Sequence, residues 1–518
     1  MTRYAKLSVI LKNPSLLFIV AYCGLLVSFS RYAPNLDDMP FFLHIYNDNA
    51  VEILKHTQNN MRFYPFGFLD LFILSKISSN PYLYFGFNAT LFALFCIIYL
   101  KMLDLSNGAK KINLAILATL TLSVGFVQVY FGICYPEKIQ VFWLAIFMLS
   151  SFIMLNNPSK LPFLAGILSL NLALYYKEPT FILAIAFGLV YLIFSTQKRY
   201  AIYTLASAVL YGICYAFVLL FNDDGKYSRL VEGSNAVAMT LRGYLDCALS
   251  DSLIIFGIGG LFVYRIALVF IHKKPSLPFY DACLAGSFAY LGCIIGLGIY
   301  EEYYLLPCYV LGIPPLVYFF KLYFHKAFIK VILVFGLFGF LTQNLPSGIY
   351  SMINFKAQGV QLHRTLDFSA EYLKQNDKAR LFFEGVGDGV NLYGFDNSIY
   401  VFSAVVYLHR IYGVNAVKWK TNAKPYKDAL LYTTSFDTPK KGDLIIYNQW
   451  SAFDSPPPAE NPHKELIYTS GFPTIPRISL KWLLCYANAK YLKLESEVFW
   501  QGSNCFALPL QSQVFKVS

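Results

Sequence analysis

The chain has 518 residues, of which 57% are hydrophobic, 18% aromatic and only 14% charged, and its mean hydropathy is +0.49. This composition excludes a soluble globular protein, and several apolar runs reach the roughly 20 residues that cross a bilayer, which predicts a polytopic membrane protein. The net charge of +12 does not indicate a nucleic-acid partner, because the basic residues stand in short loops between apolar runs, where they act as topology signals.

The first apolar run, Pro14 to Ser30, follows a basic leader that contains Arg3, Lys6 and Lys12. A leader of this kind can belong to a signal peptide, but no small-residue cleavage site follows it. The pattern therefore predicts an uncleaved first span with its amino end in the cytoplasm.

An acidic pair follows this span directly, in the stretch Arg31-Tyr-Ala-Pro-Asn-Leu-Asp37-Asp38-Met-Pro. Neighbouring carboxylates repel each other, which raises one pKa, and a carboxylate poised in this way can take a proton from a hydroxyl. The alternative is that Asp37 and Asp38 only solvate a helix end and cap the next helix. The positions of the other acids bear on this choice.

The next segment, Phe63–Ser79, is apolar but short, and Pro65, Gly67, Asp70 and Lys76 interrupt it. It is expected to lie in the membrane interface instead of crossing the bilayer. A crossing here would also place Lys110 and Lys111 outside, against the positive-inside rule.

Ten later crossings are predicted, which with the first make about eleven and leave the carboxyl end outside. They are Pro81–Leu100, Ile112–Ile133, Ile139–Asn156, Leu161–Tyr176, Pro179–Thr196, Ala201–Phe221, Ser252–Ile271, Ala282–Ile299, Tyr303–Phe320 and Val331–Ile349. The inner loops then hold most of the Lys and Arg of this region, as expected for a multi-pass plasma (inner) membrane protein.

Most acids of this region fall in the outer loops, although acids have little effect on topology. Three sets stand in tight turns: Tyr135-Pro-Glu137, Tyr176-Lys177-Glu178-Pro and Tyr300-Glu301-Glu302-Tyr. Each turn taken singly can be ordinary turn solvation. Three such turns on the side of the Asp37–Asp38 pair favour a shared outward-facing cavity, because charges this close to hydrocarbon usually face a polar cavity or a partner.

Residues 351–518 have a mixed polar composition, so the predicted organisation is a transmembrane domain at 1–350 and a soluble α/β domain at 351–518. The patterns predict a helix at Thr365–Asn376 and strands at Leu381–Phe383, within Lys441–Tyr447 and at Leu466–Tyr468.

The ten cysteines include no CxxC pair and no Cys/His spacing of a zinc site. Most lie in apolar segments, where they act as small hydrophobic residues. Cys485 and Cys505 are the pair that can form a disulfide if the tail faces an oxidising compartment.

The layout resembles the GT-C superfamily of polytopic glycosyltransferases, near the aminoarabinose transferases and protein O-mannosyltransferases. In that family an acidic pair in the first outer loop supplies the catalytic base, which matches Asp37 and Asp38 here. An interface helix, a second-loop acid and a Lys ending a later span match the segment from Arg62, Glu137 and Lys177. The Tyr-Leu-Leu-Pro stretch of the family matches residues 304–307. The chain departs from the family in having Asp-Asp where many relatives have Asp-Glu, and in lacking the Arg that commonly precedes the Tyr-Leu-Leu-Pro stretch.

The resemblance implies transfer of a sugar from a polyprenyl-phosphate donor to an envelope glycan, lipid or protein acceptor on the extracytoplasmic face. The residue types fit this chemistry, because a phosphate leaving group needs a cation, for which Lys177 is the first candidate and Arg62 the second. Asp37 is the expected base, and Asp38 is expected to orient it or to bind the acceptor. Glu137 is expected to position the cation or to hold a divalent metal, which is possible but not required. The supporting acids are Glu178, Glu301 and Glu302.

A transporter or flippase for a lipid-linked or anionic solute is the alternative function, because it also needs many spans and charged groups. The charges here lie at one face instead of at mid-depth, and no paired inverted halves are evident. A third possibility is a non-catalytic assembly partner that presents its tail to other proteins.

Overall fold

The computed structural model shows a mainly helical chain with one small sheet near its carboxyl end. It describes residues 13–32, 38, 41, 44–45, 50–51, 53–54, 63–107, 109–220, 236–297, 299–376, 378–384, 404, 407–414, 439–447, 463–471, 478–492 and 512–518. Among these, seven helices are long and apolar enough to cross a membrane. Both the helical class and the membrane-spanning character agree with the sequence prediction.

The α-helices are numbered here in chain order. They are α1 (Pro14–Val27), α2 (Leu69–Ile77), α3 (Pro81–Asn107), α4 (Lys110–Thr121), α5 (Val124–Phe131), α6 (Glu137–Asn156), α7 (Lys160–Tyr176), α8 (Thr180–Phe194), α9 (Lys198–Leu220), α10 (Ala236–Ser250), α11 (Gly260–Ile266), α12 (Pro278–Gly296), α13 (Leu306–Tyr323), α14 (Ala327–Gly339), α15 (Leu345–Gln375) and α16 (Leu480–Ala487). Short π-helical segments flank α11 at Leu253–Gly259 and Ala267–Ile271, join α14 to α15 at Phe340–Asn344 and follow α16 at Asn488–Leu492. A 3-10 turn, Glu302–Leu305, precedes α13.

The seven candidate spans cover most of the predicted crossings. They are Pro81–Ser106, Glu137–Asn156, Lys198–Val218, Leu253–Ile271, Pro278–Gly296, Glu302–Tyr323 and the first part of Ala327–Gln375. Three further apolar helices, α1, α7 and α8, are shorter. The interface segment forms only the nine-residue α2, about 13 Å long, which is too short to cross a bilayer.

The predicted crossing Ile112–Ile133 is not one straight helix, because α4 and α5 meet at a bend of 68°. The bend frees backbone groups at the start of α5, and the Asn344 side chain accepts a hydrogen bond from the Val124 N–H at 3.0 Å. Gly348 in α15 packs directly against the same bend. A Cβ at Gly348 would lie 2.0 Å from the Leu122 carbonyl oxygen and 2.8 Å from the Val124 nitrogen.

We expect Gly348→Ala to lower the free energy of unfolding by about 1–3 kcal/mol or more, because the added methyl must push two backbones apart. Gly292→Ala is the matched control, since a Cβ at Gly292 meets nothing within 4 Å. Replacing a helical glycine that has open space around it by alanine stabilises the protein, so the Gly292→Ala control should unfold at the same temperature as the parent chain or at a higher one. Thermal unfolding of the purified protein in detergent measures both, and equal midpoints would contradict the close approach at Gly348.

Helix α15 passes through the predicted boundary between the two domains at residues 350 and 351. It runs unbroken for 31 residues, about 46 Å, from Leu345 through that boundary to Gln375. The helix predicted at Thr365–Asn376 is its last part, and the predicted apolar positions Leu366, Ala370 and Leu373 are buried there. A single rod therefore joins the apolar bundle to the carboxyl-terminal sheet.

Within the described residues the sheet has four strands in the order β1-β2-β4-β3. These are β1 (Leu381–Glu384), β2 (Leu444–Tyr447), β3 (Lys464–Thr469) and β4 (Gln513–Val517). Strand β1 pairs parallel with β2, whereas β4 pairs antiparallel with both β2 and β3. The three predicted strands are confirmed, and β4 is the strand that the sequence analysis did not predict.

Contacts of the sheet place it at the end of the helix bundle where α1 ends and α3 begins. Leu381, Leu444 and Val514 share one apolar cluster with Leu71 of α2 and with Ile133, which follows α5. Helix α16 packs separately against α10, where Cys485 contacts Leu245 and Leu249. Cys485 is disulfide-bonded, and its predicted partner Cys505 lies outside the described residues.

Candidate functional site

Three turns that are far apart in the chain meet at one end of the bundle. Glu137 is the first residue of α6, Lys177 follows the last residue of α7, and Tyr304 lies in the 3-10 turn before α13. The Lys177 Nζ lies 2.6 Å from Glu137 Oε1 and 4.6 Å from the centroid of the Tyr304 ring. The Tyr64 ring lies on the same ammonium at 5.7 Å. The turns at Glu137, at Lys177 and after Tyr300 thus meet at one site.

The Lys177–Glu137 ion pair is almost fully buried, with side-chain exposures of 5% and 0%. Removing two charges from water costs several kcal/mol each, so such a pair persists only with good geometry and compensating contacts. The aromatic rings over Lys177 supply part of that compensation, and the position of Glu137 at a helix N-terminus supplies another part.

The second carboxylate oxygen of Glu137, Oε2, is buried and makes no hydrogen bond with any described residue. Buried carboxylate oxygens almost always accept a hydrogen bond, so an unsatisfied one in a native structure calls for an explanation. Water or a hydroxyl group of a molecule that enters the site can donate the hydrogen bond that this oxygen lacks.

Lys177 is held in place by polar side chains on the neighbouring helices. Thr180 donates its hydroxyl to the Lys177 carbonyl oxygen at 2.7 Å, and Gln140 of α6 donates to the Thr180 hydroxyl at 2.7 Å. Helix α7 ends at Tyr176, because Pro179 disfavours a helical conformation at Glu178. Lys177 is therefore extended and projects toward α6 from a rigid turn.

Asp38 is also buried, and its carboxylate holds the loop that leads to Glu137. It accepts the backbone N–H of Ile133 at 3.1 Å and that of Cys134 at 3.0 Å. Burial raises the pKa of Asp38, and these hydrogen bonds together with the nearby Lys138 charge oppose the rise. Asp38 thus links the segment after α1 to the loop between α5 and α6 and positions Glu137.

A second buried cation stands next to this loop. The Lys138 Nζ donates to the Ile133 carbonyl oxygen at 2.6 Å and lies 4.0 Å from Asp70 Oδ2 in α2. Burial raises the pKa of Asp70, whereas the Lys138 charge lowers it. The interface helix is thereby tied to the start of α6.

The other predicted site residues lie around this core. Glu178 is buried next to Lys177, Glu302 is partly buried and Glu301 is exposed. From the third turn, the Tyr304 ring reaches Lys177. Asp37 and Arg62 lie outside the described residues.

Sequence reasoning missed Tyr64, Asp70, Lys138 and Tyr304 as members of the site. Lys138 stands directly after Glu137, and Asp70 interrupts an apolar segment, so both signals were present in the sequence. They were attributed to turn solvation and to an interface helix. The spacing of the two residues does not show that they face each other.

Among the described residues no three His, Cys, Asp or Glu side chains lie together as a set of metal ligands. The one carboxylate at the centre of the site, Glu137, is next to an ammonium group that would repel a cation. The residues described here therefore do not fit a divalent metal, and we derive no step through one.

A further buried carboxylate, Asp251, lies in the break between α10 and the π-helical turn at Leu253. It accepts hydrogen bonds from Tyr300 Oη at 2.7 Å, Tyr309 Oη at 2.5 Å and Asn344 Nδ2 at 3.0 Å. Burial raises the pKa of Asp251 to about 7, although the tyrosine hydroxyls oppose the rise. Asn344 also binds the bend at Val124, so this cluster ties three parts of the bundle together.

The raised pKa of Asp251 predicts a pH-dependent stability. The folded state holds the proton that the unfolded chain releases near its ordinary pKa of 3.8, so the free energy of unfolding should fall as pH rises from about 4 to about 7. Asp251→Asn should flatten this slope, because the amide does not titrate in this range. Parallel slopes for the two proteins between pH 4 and pH 8 would contradict the assignment.

The site thus places a buried cation, a carboxylate with one free oxygen and two aromatic rings at the end of an apolar helix bundle. That arrangement can bind an anionic group together with a hydroxyl-bearing group. Comparison with protein-family models, with curated proteins and with solved structures finds no match to this chain.

Proposed function

We propose that this chain is an integral-membrane glycosyltransferase that moves a sugar from a polyprenyl-phosphate donor to an acceptor on the extracytoplasmic face. The observation that carries the proposal is the meeting of Glu137, Lys177 and Tyr304 from three separate turns at one end of the apolar helices. A lipid-linked donor needs its phosphate near the ends of the apolar helices and its tail among those helices. The motifs shared with the GT-C superfamily support the same function.

In the proposed reaction Asp37 takes the proton from the acceptor hydroxyl or amine, and the acceptor atom then attacks the anomeric carbon of the donor. The bond between that carbon and the phosphate oxygen breaks, and the phosphate leaves with both electrons. Lys177 faces the leaving phosphate and offsets its developing charge. Arg62 is the second candidate for this role.

Glu137 has two tasks in this proposal. Its Oε1 holds Lys177 in place before the donor binds. Its Oε2, which has no hydrogen-bond donor among the described residues, accepts a hydroxyl of the transferred sugar. Binding of the donor phosphate then shares the Lys177 charge between Glu137 and the phosphate.

The proposed topology has eleven crossings. The seven long apolar helices, the bent pair α4 and α5, and the shorter helices α1, α7 and α8 together account for them. The amino end then lies in the cytoplasm, and the site and the sheet lie outside. The short helices α7 and α8 flank Lys177, which favours a locally thin bilayer at the site.

The bend between α4 and α5 favours a second candidate function, a transporter or flippase for a lipid-linked or anionic solute. Broken helices with charged groups near the break are a recurrent feature of transporters, and Asp251 lies beside this break through Asn344. Transport requires the charged groups to be reached from both sides. The Lys177 site lies at one end of the helices, which favours transfer.

Mass spectrometry of envelope glycans and lipids from a strain that lacks the chain tests the proposal. We expect one sugar substituent to be missing, and its identity names the donor sugar and the acceptor. The full chain should restore the substituent and Lys177→Ala should not. A complete set of sugars, with a solute or unmodified lipid accumulated on one side of the membrane, would contradict transfer and support transport.

The matched control disrupts a different buried ion pair. Arg265 and Asp281 pair at 2.8 Å near the opposite end of the bundle, where they join α11 to α12. The double variant Arg265→Gln/Asp281→Asn should lower protein stability but restore the substituent at matched protein levels. Its failure to restore the substituent would show that the loss in Lys177→Ala reflects folding alone.

A further inference from the structure

A small cleft lies between the end of α1, the start of α3 and the carboxyl-terminal half of α15, away from the Lys177 site. Its volume is about 150 Å³, and its lining includes Arg31, Tyr82, His363 and Arg364. Ligand pockets for larger molecules measure roughly 300–1,000 Å³, so this cleft fits only a small group. None of its lining residues belongs to the Lys177 site.

The cleft is built to face an anion. Arg31 follows α1 and Arg364 belongs to α15, so two guanidinium groups approach it from different elements. Gly359 allows this approach, since a Cβ there would lie 3.1 Å from the Arg31 Cβ. A guanidinium presents a planar fork of N–H donors that matches phosphate oxygens.

The one acid in the lining is Asp367, which accepts a hydrogen bond from the Tyr412 hydroxyl. Two guanidinium groups against one carboxylate leave the lining with a net positive charge.

His363 supplies an independent observation that points to a ligand. It lines the cleft and is only 4% exposed, and one of its ring nitrogens contacts the Tyr32 backbone, which leaves the other nitrogen without a hydrogen-bond partner among the described residues. The Tyr407 ring stands edge-on to it at 4.5 Å and cannot replace a hydrogen bond to the nitrogens. Buried polar atoms in native proteins usually have a partner. A phosphate oxygen in the cleft would accept the imidazole N–H.

The surroundings of the cleft indicate a lipid instead of a dissolved ion. Phe29 and Tyr82, which are about half exposed, stand at its mouth where two apolar helices end and begin. Aromatic side chains in such positions mark the membrane–water interface. Lys356 lies on the same face of α15, seven residues and about 10 Å nearer the bundle, between the rings of Phe85 and Phe131.

We propose that this cleft binds the phosphate of a lipid headgroup, with Arg31, Arg364 and His363 as its ligands and the acyl chains on the exposed faces of α1 and α3. Basic pockets beside transmembrane helices are a known basis of headgroup recognition. The proposal holds whether or not the chain transfers a sugar, because the two sites share no residue.

The test uses the full-length protein purified in an uncharged detergent, with dioctanoyl phosphatidic acid as the probe. Native mass spectrometry and a titration measure its affinity. The variant Arg31→Gln/Arg364→Gln should weaken binding by at least about tenfold, because two charge-assisted hydrogen-bonding groups are lost. The single variant Arg364→Lys keeps both positive charges. It should bind the probe more weakly than the parent chain but more tightly than Arg31→Gln/Arg364→Gln.

Arg199→Gln is the matched control, because Arg199 is an exposed arginine at the other end of the bundle. Its guanidinium lies over the Phe163 and Tyr203 rings. It should bind the probe as the parent chain does. Equal affinity of the Arg31→Gln/Arg364→Gln variant and the parent would overturn the proposal. Full displacement of the probe by an equal concentration of inorganic phosphate would assign the cleft to free phosphate and overturn the lipid assignment.

His363→Phe gives a second line of evidence that does not depend on the exposed arginines. The Phe ring takes the place of the imidazole but is somewhat larger and has no N–H. A variant that still unfolds in one cooperative transition should bind the probe several-fold more weakly. Unchanged affinity in this variant would remove His363 from the site.

Discussion

Replacing Lys177 by alanine should lower the free energy of unfolding by about 3–5 kcal/mol, which is the usual cost of removing one partner of a buried ion pair. The reason is that Glu137 would remain buried without its ion-pair partner and with its second oxygen already lacking a donor among the described residues. The carboxylate must then take up a proton or draw water into the bundle. Either route raises the free energy of the folded variant relative to that of the folded parent chain.

A double-mutant cycle separates the pair from its surroundings. Lys177→Ala and Glu137→Gln are measured singly and together by chemical unfolding in detergent. Because the two side chains are in contact, the double variant should be less destabilised than the sum of the single variants, by about 1–3 kcal/mol. The double change Lys177→Met/Glu137→Leu should recover most of the stability, because apolar side chains of similar volume need no charge compensation.

Additive losses in this cycle, or a loss below about 1 kcal/mol in Lys177→Ala, would mean that the two charges do not support each other. The site would then lack the pair on which the proposed function rests. A stable Lys177→Met/Glu137→Leu variant without transfer activity would instead show that the ion pair is kept for chemistry and not for folding.

The second large effect is expected at Asp37. Asp37→Asn should reduce sugar transfer by about 10²–10⁴-fold, the usual contribution of a positioned general base, and should leave the unfolding transition unchanged. An amide has the shape of the carboxylate but cannot accept the acceptor's proton. Activity is measured with purified protein and the donor that the glycan comparison identifies.

The neighbouring Asp38→Asn is the matched control, because the two residues are adjacent and have identical side chains. Asp38 accepts two backbone N–H groups, and an amide keeps one acceptor oxygen while it brings two donors into the same space. We expect a loss of about 1–3 kcal/mol in stability from the disturbed hydrogen bonds. Wild-type turnover in Asp37→Asn, or equal losses of activity and stability in both variants, would exclude Asp37 as the base.

Much of the architecture is readable from local pattern. Long apolar runs, the short interface segment and three of the four strands follow from hydropathy, interruption by charges and period-two alternation. These signals are local because each element must bury or expose its own side chains. Strand β4 was not predicted, and its pairing with β2 and β3 joins segments that are far apart in the sequence.

Other features depend on contacts between distant segments. The bend of 68° between α4 and α5 has no Pro at its break, and it is held by Asn344 and by the close approach of Gly348. The burial of Asp251 depends on Tyr300, Tyr309 and Asn344, which come from three other parts of the chain. A local pattern carries no information about such partners.

The candidate site divides in the same way. The residue types at Glu137, Lys177 and Asp38 marked them as candidates, because charges next to apolar spans are costly without a use. Their partners did not follow from the sequence: Asp38 accepts the backbone of Ile133 and Cys134, and Lys177 is shared by Glu137, Tyr64 and Tyr304.

The sequence by itself determined that the chain has many apolar helices, a carboxyl-terminal region with strands and a set of charges near the helix ends. Only the tertiary structure decided which of those charges pair, where the long apolar run bends and that one helix continues from the bundle into the sheet region. The physical reason is that hydropathy and periodicity act over a few turns of one segment. Ion pairs, buried hydrogen bonds and close backbone contacts instead depend on which segments the folded chain brings together.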